Sequence, residues 1–565
     1  MNQQSVVNEQ INEIVREQEI KLAELRAVME SEKNAKRKLR VQGQELSRLT
    51  SMLLLYCQPK SIYYLDKQLL PEMERLAEAF LGTQLPSGNV TLYFCNIDSP
   101  PDTAFTSHHV ATLLQLAMRD AGEEAEKITN CLMLFMERAA PALLTGGIHT
   151  PNHRWVMASA LAKMEELFGG TEYRARAFQF LNEGLDITEY GEWTERSNSI
   201  YNAVCSYYLY TIGKVFDHKP AMEAASRTLH MMRYMMHPGD TIATEYSGRQ
   251  DLGKIAYMDD RYYVAYHLLA SYDQNPELAA MARMAARTAP KGSFALMHWM
   301  LEPERMILPE TAAELRDNYT ELFGERNLVR VPAHVPYLGP LVKHPHGAAV
   351  LRHRRDKLSI TVMAGQPESI YLQYGKARMF GMKLGVGWFG IGAAAFPGIA
   401  KLGEDLYRME IELEGCYFGP LTDEHTKHAK GSYVDMPNHL REKTSVLKMN
   451  AAIEIKLLDD GMDVRVLSND PDGLYLQAVC MFDESGLLSG EGLERTGPLT
   501  QRLSYGDALY RVGNDCIRIE GGAYEHDEIV MRNDSIHSNA INMMVNWITP
   551  TDSILKFRCY TAVDE

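Results

Sequence analysis

The sequence has no run of about 18 apolar residues, the length that crosses a bilayer, so no membrane-spanning helix and no membrane partner is expected. It also lacks the basic start, apolar middle and small-residue cleavage site of a secretory signal. MNQQSVVNEQINEIVREQE opens on polar residues, and a cytoplasmic protein is expected. Cysteine is sparse, 8 in 565 residues, and C-x-x-C is missing, which excludes a disulfide framework and a cysteine-bound zinc as expectations. Positive charge is scarce too. The 58 Lys and Arg face 74 Asp and Glu for a formal net charge of −16, against the basic footprint that nucleic acids demand. A locally basic cleft for an anionic sugar stays compatible with that total. There is no G-x-G-x-x-G after a strand, no Walker loop and no G-x-S-x-G. His108-His109, and His344 with His346 and His353, lack flanking carboxylates or helical spacing, so neither a metal nor an organic cofactor is expected.

What is present describes a large globular chain: 45% hydrophobic and 23% charged residues, and a length that calls for two or more domains. Residues 1–50 place Ile11, Val15, Leu22, Leu25 and Met29 at three-four spacing, which predicts an amphipathic helical extension. It either packs on the body or pairs with a second copy to form a homo-oligomer. Residues 51–328 are helical in pattern, with segments such as HVATLLQLAMRDAGEEAEKITNCLMLFMERAAPALL broken by short Gly, Pro and Asp stretches. Successive helical hairpins without a fixed repeat suggest a bundle, solenoid or toroid. Near residue 329 the text changes to SIYLQYG, LYRMEIELEG, AAIEIKLLDDGMDVRVLS, LYLQAVCMF and ILKFRCYTAV, alternating runs that predict an antiparallel β-sandwich over 329–565. Asp460-Gly461, between two such runs, predicts a hairpin turn.

Three polar clusters interrupt the helical region. In PNHRW, Asn152 on its own reads as a helix cap and His153 as a first-turn residue. In GEWTERSNSIYNAV, Trp193, Glu195 and Arg196 precede a helix carrying Tyr201, with Ser197 or Ser199 as caps. In TEYSGRQDLG, Arg249 follows Gly248 in a turn-rich segment that otherwise reads as a solvated loop. Together they suggest a chemistry. Removing a proton beside a carboxylate requires that carboxylate to be neutralised by amide and cationic donors, and Asn152, His153 and Arg249 are such donors. A tyrosine beside positive charge can act as both base and acid, and Tyr201 beside Arg196 is the candidate.

These segments resemble the polysaccharide lyases that join an (α/α) toroid to an antiparallel β-sandwich, the heparinase II/III-like and chondroitin/hyaluronate lyases. GEWTERSNSIYNAV is similar to the loop ending in their catalytic tyrosine, and PNHRW to their asparagine segment. TEYSGRQDLG is similar to their Gly-Arg motif, and VLRHRRDKLSITVMAG to the opening of their β domain. The resemblance implies an N-terminal toroid followed by a sandwich, with Asn152, His153, Tyr201 and Arg249 catalytic. Two positions depart from the pattern. Glu195 and Arg196 stand where one branch has a histidine before the tyrosine, and Tyr374-Gly375-Lys376 where another is histidine-rich. Either His153 or Tyr201 is then the base.

The expected function is β-elimination on an anionic poly- or oligosaccharide containing uronic acid, giving an unsaturated product. Arg196, Glu195, Trp193 and Trp155 are expected to bind substrate, and Tyr262 is a further aromatic candidate, although aromatic residues at helical spacing are more often core. Two other classes compete: a glycoside hydrolase using Glu192, Glu195 or Asp251, and a non-catalytic carbohydrate-binding protein.

Overall fold

The apolar stripe of the first segment does bury one face of a helix. In the computed structural model, which describes residues 3–32, 43–289, 292–324, 349–427 and 431–563, α1 spans Gln3–Glu32 and buries Val7, Ile11, Ile14, Val15 and Leu22. The side chains of Leu25 and Met29, and His344 and His346, lie outside the described residues. Among the described residues eleven more helices follow in the first compact unit: α2 Gln44–Cys57, α3 Leu70–Leu81, α4 Pro100–Asp120, α5 Glu126–Thr145, α6 Pro151–Phe168, α7 Glu172–Leu181, α8 Tyr201–Phe216, α9 Lys219–Met232, α10 Asp260–Asp273, α11 Pro276–Thr288 and α12 Ser293–Leu301.

Their contacts form a closed double ring. The even-numbered helices touch in succession from α2 to α12, and α12 returns to α2. The odd-numbered helices α3 to α11 each pack on the outside of the preceding inner helix. Helix α1 covers α12 and α2, so it acts as an outer helix of an (α/α) toroid. Among the described side chains the buried face of α1 runs from Val7 to Leu22, and α12 and α2 are the helices it packs on. Short breaks set the ends of the hairpins: α4 stops at Asp120 before Gly122, whose φ of 70° suits a residue without a Cβ. One departure from the helical reading is a hairpin, Val90–Leu92 paired with Asn96–Ser99, ahead of α4.

The second unit starts at Arg316, earlier than the composition suggests, because Asn318–Phe323 is already a strand paired with Val350–Arg355. Among the described residues it holds an eight-stranded and a ten-stranded sheet, almost wholly antiparallel, with Thr500–Leu503 running parallel beside Ile541–Ile548. Alternation along each strand sends one set of side chains inward. Leu351, Ile360, Met382, Leu476 and Val545 from one sheet share a core with Ile453, Val464, Ile517 and Phe557 from the other. The five alternating segments read from the sequence are all strands.

The hairpin near Asp460 is shifted by one residue. Leu458 pairs with Gly461, so Asp459-Asp460 form the turn. Gly461 serves a different need: a Cβ there would lie 2.0 Å from the Phe557 carbonyl oxygen on the neighbouring strand. No helix among the described residues is long and apolar enough to cross a membrane.

Candidate active site

Helix α6 begins with Pro151, whose missing N–H is no loss in a first turn, and its N-cap is Thr150. Asn152 is therefore inside the helix and does not cap it. Its buried Nδ2 donates to Thr150 Oγ1 at 3.0 Å and to both oxygens of Glu195 at 2.9 Å. Glu195 comes from the loop before α8, and its Oε1 also accepts from Arg249 at 2.7 Å. A second nitrogen of Arg249 donates to the Tyr201 phenol oxygen at 3.3 Å, Gln250 Nε2 donates to the same oxygen at 3.1 Å, and the guanidinium lies 4.7 Å from the Tyr201 ring centre. Asn152, Glu195, Arg249 and Tyr201 thus form one hydrogen-bonded chain in the helical unit. Its Tyr201 end is half-buried and its Glu195 end is 4% exposed.

Two loops are locked together to make it. Gly248 N–H donates to the Arg196 carbonyl at 2.7 Å, and a Cβ on Gly248 would lie 2.9 Å from the Glu195 carbonyl oxygen. The glycine before the arginine is thereby explained by close backbone approach. Asp251 accepts from Ser197 Oγ at 3.0 Å and from Ser199 N, Ser199 Oγ and Ser247 Oγ at 3.1 Å. Neither Ser197 nor Ser199 caps α8, whose N-cap is Ile200 without a side-chain cap bond; Ser197 Oγ accepts from Tyr201 N at 3.2 Å, and Ser199 is turned to Asp251. Tyr262 is fully buried and donates its hydroxyl to the Asn198 carbonyl, fixing the same loop from beneath.

The electrostatics follow from burial. Glu195 is pushed up to about 7, because desolvation outweighs the opposing pull of Arg249 and Asn152. His153 is pushed down to about 3 by burial, aided by His149 and Arg249. Its Nδ1 has no hydrogen-bond partner among the described residues, and its ring lies 4.5 Å from the ring of His149 and 6.1 Å from that of Phe105. It is a neutral imidazole beside the chain of hydrogen bonds.

No protein-family model and no curated protein matches the sequence. Among solved structures, a heparinase III superposes with a TM-score of 0.55 at 10% identity, over 94% of this chain and 80% of that one. A Paenibacillus xanthan lyase superposes at 0.53 and 10% identity, over 99% of this chain and 57% of that one. A Streptomyces coelicolor chondroitin AC lyase in complex with chondroitin sulphate gives 0.50 and 12% identity, over 92% and 74%. The chain has the polysaccharide-lyase fold. At such identities the likeness is one of fold, and the roles of individual side chains rest on this chain's own geometry.

Within that lyase fold, several expected roles are redrawn. Arg196 is not the cation beside Tyr201; Arg249 is. Arg196 is 2% exposed, adopts a φ of 43°, and buries both terminal nitrogens without a hydrogen-bond partner among the described residues, with Glu192 the first charge acting on it. Trp155 and Trp193 are 1% and 3% exposed and pack on each other at 6.1 Å, so they are core residues and no sugar platform. Both fill the space between α6 and the loop that carries Glu195, with Arg154 stacked 4.4 Å over Trp155 and paired to Asp186. Gln250 and His149 were not singled out by sequence reasoning. Gln250 directly follows the Gly-Arg pair, and His149 lies four residues before His153, but both stand in polar turn text with no periodic signal. Among the described residues no cluster of His, Cys, Asp or Glu suits a metal ion.

Proposed function

We propose that the protein cleaves uronic-acid-containing poly- or oligosaccharides by β-elimination. The observation that supports this most is the Tyr201 oxygen, half-buried and met by N–H donors from Arg249 and Gln250. An anionic oxygen there is stabilised by the same donors. In that form Tyr201 takes the proton from C5 of the uronate. The released electron pair forms the C4–C5 double bond, the C4–oxygen bond breaks, and the proton held by Tyr201 passes to the departing glycosidic oxygen. One phenol serves both steps, and atoms and charge balance without another reactant. His153, pushed down to about 3, is a weak base at neutral pH, which favours Tyr201 in that role.

Arg249 and Asn152 are the donors for the uronate carboxylate, and Glu195 competes for both of them. Protonating Glu195 removes the competitor and leaves the Arg249 charge to the substrate. The resident carboxylate therefore makes productive binding depend on its own protonation.

The hydrolase reading is less well supported, because Asp251 has its oxygens engaged by three serines and is not placed to activate water. The test is to incubate the protein with a panel of uronate oligosaccharides and follow the ultraviolet absorbance of the conjugated double bond. Tyr201→Phe is expected to lower the rate by about 10²- to 10⁴-fold, the range for acid–base groups, while the fold is kept. Cleavage without new absorbance, or full activity in Tyr201→Phe, would reject the proposal.

A further inference from the structure

The inner helices carry a second polar constellation away from the first. Helix α8 runs on from Tyr201 to Thr211 and Lys214, and ten residues at 1.5 Å each put Thr211 about 15 Å along the axis. Helix α6 likewise runs from Asn152 to Lys163 and Glu166. With Gln115 of α4, and His298 of α12 followed by Glu302, these side chains line a cavity of about 190 Å³. The hydrogen-bonded chain around Glu195 uses none of them.

The lining is balanced in charge. Lys163 Nζ donates to Glu166 at 2.8 Å and to Gln115 Oε1 at 3.3 Å, and Lys214 Nζ donates to Glu302 at 2.5 Å. Burial pushes His298 down to about 4, so its ring is neutral at pH 7. Each ammonium in the wall is held by a carboxylate, and Arg305, outside the lining, lies 3.6 Å from Glu302, so no cation is left unpaired for a ligand's charge. The wall holds both acceptors and donors, among them Gln115, Glu166, Thr211 and Lys214, which suits hydroxyl groups, each able to give and receive a hydrogen bond.

One group in the wall calls for a partner. His298 is 3% exposed, its Nε2 is 2.9 Å from the Tyr207 hydroxyl, and its Nδ1 has no hydrogen-bond partner among the described residues. The closest carboxylate oxygen, Oε1 of Glu302, is 3.9 Å away. A buried ring nitrogen left unpaired is destabilising, and a bound hydroxyl would satisfy it. Size narrows the ligand: the cavity is below the roughly 300–1,000 Å³ of pockets for drug-sized molecules, and corresponds to about six waters at about 30 Å³ each. Tyr207 and Leu301 add the apolar surface that packs on ring C–H groups.

We infer that this cavity binds a neutral polyol of the size of one monosaccharide. The site is separate from the one proposed to cleave glycans and does not depend on that proposal.

The test uses the full chain, with D-glucose, D-galactose and D-mannose as probes and sodium glucuronate as the charged comparison. Saturation-transfer NMR and calorimetric titration are expected to show saturable binding of at least one neutral sugar, in the millimolar range. Glucuronate should bind at least about tenfold more weakly, since the lining offers no unpaired cation. Leu301→Trp, which fills the cavity, and Gln115→Leu, which removes an acceptor from its half-buried rim, should each abolish binding while the far-ultraviolet spectrum is unchanged. Tyr201→Phe should bind as the parent does. The inference is overturned if none of the three sugars saturates the protein, if glucuronate binds as tightly as they do, or if binding survives both cavity variants. Loss of sugar binding in Tyr201→Phe would overturn it as well, by placing the ligand at the other site.

Discussion

Replacing Glu195 by Gln separates charge from shape in the buried hydrogen-bonded chain. Glutamine keeps an oxygen for Arg249 and turns the second oxygen of the carboxylate into an NH₂. That NH₂ would face the Asn152 amide, whose Oδ1 is buried without a partner, so a rotation of Asn152 lets the two amides pair. The variant should therefore fold. In the parent, Glu195 is pushed up to about 7. Each pH unit above that value reduces the protonated fraction tenfold, equivalent to about 1.4 kcal/mol. If a uronate binds productively only when Glu195 is protonated, kcat/KM should fall about fivefold between about pH 7 and about pH 8, since half of the carboxyl is already ionised at about pH 7, and approach about tenfold per unit beyond that. In Glu195→Gln that limb should vanish, leaving the variant faster than the parent at alkaline pH. Stability should follow the same sign. A carboxyl raised in the folded state contributes stability that is present below its unfolded value near 4.5 and is lost as pH rises through about 7. The loss is about 3 kcal/mol, and the glutamine variant should not show it. The assays are initial rates on a uronate oligosaccharide across pH and thermal melts in the same buffers. A limb near pH 7 that persists in Glu195→Gln would refute the assignment. A variant that is folded and inactive at every pH would refute the competition argument, by making Glu195 a participant in the chemistry.

Gly248→Ala would set a Cβ 2.9 Å from the Glu195 carbonyl oxygen and push the Arg249 loop outward. A displacement of about 1 Å at a catalytic group can lower the rate by about 100-fold, so kcat/KM should drop by that order while the melting temperature moves little. Acid should destabilise the helical unit, because His153 and His267 are pushed down to about 3 and His298 to about 4. The folded chain resists the protons that the unfolded chain accepts near 6.5, so stability is full above that pH and falls below it. Each of these histidines costs about 1.4 kcal/mol one unit below 6.5. Melts followed by the helical far-ultraviolet signal should show a steep fall in midpoint through that range, and an unchanged midpoint would count against neutral burial.

The fold was legible because its signals are periodic. The stripe of α1 repeats every three or four residues and is buried at Val7, Ile11, Ile14, Val15 and Leu22, while strands such as Gly461–Ser468 alternate and bury Met462, Val464 and Val466. Two features escaped for the same reason. Asn318–Phe323 is short and only half-buried, so its alternation is too brief to stand out from the helical text before it. The role of α1 as an outer helix depends on closure of the ring between α12 and α2, a long-range pairing that no local spacing reports.

The candidate site was legible in its residue types and less so in its pairings. Asn152, Tyr201 and Arg249 were named from chemistry, since an amide, a phenol and a guanidinium in helix-boundary loops are poorly explained by packing. Which cation meets the phenol depends on how two loops lock together. Arg196 is closer in sequence, but its φ of 43° and its buried guanidinium take it away, whereas Gly248 lets the backbone come close enough for Arg249 to reach Tyr201. The same lock explains Glu195. From the sequence Glu195 is expected to bind substrate, yet in the structure the Asn152 amide and Arg249 converge on its carboxylate, so the chain itself supplies their partner. If the site takes a uronate carboxylate as proposed, it has to balance its cation before substrate arrives, and burying Glu195 at a raised pKa does so with a group that a single proton neutralises.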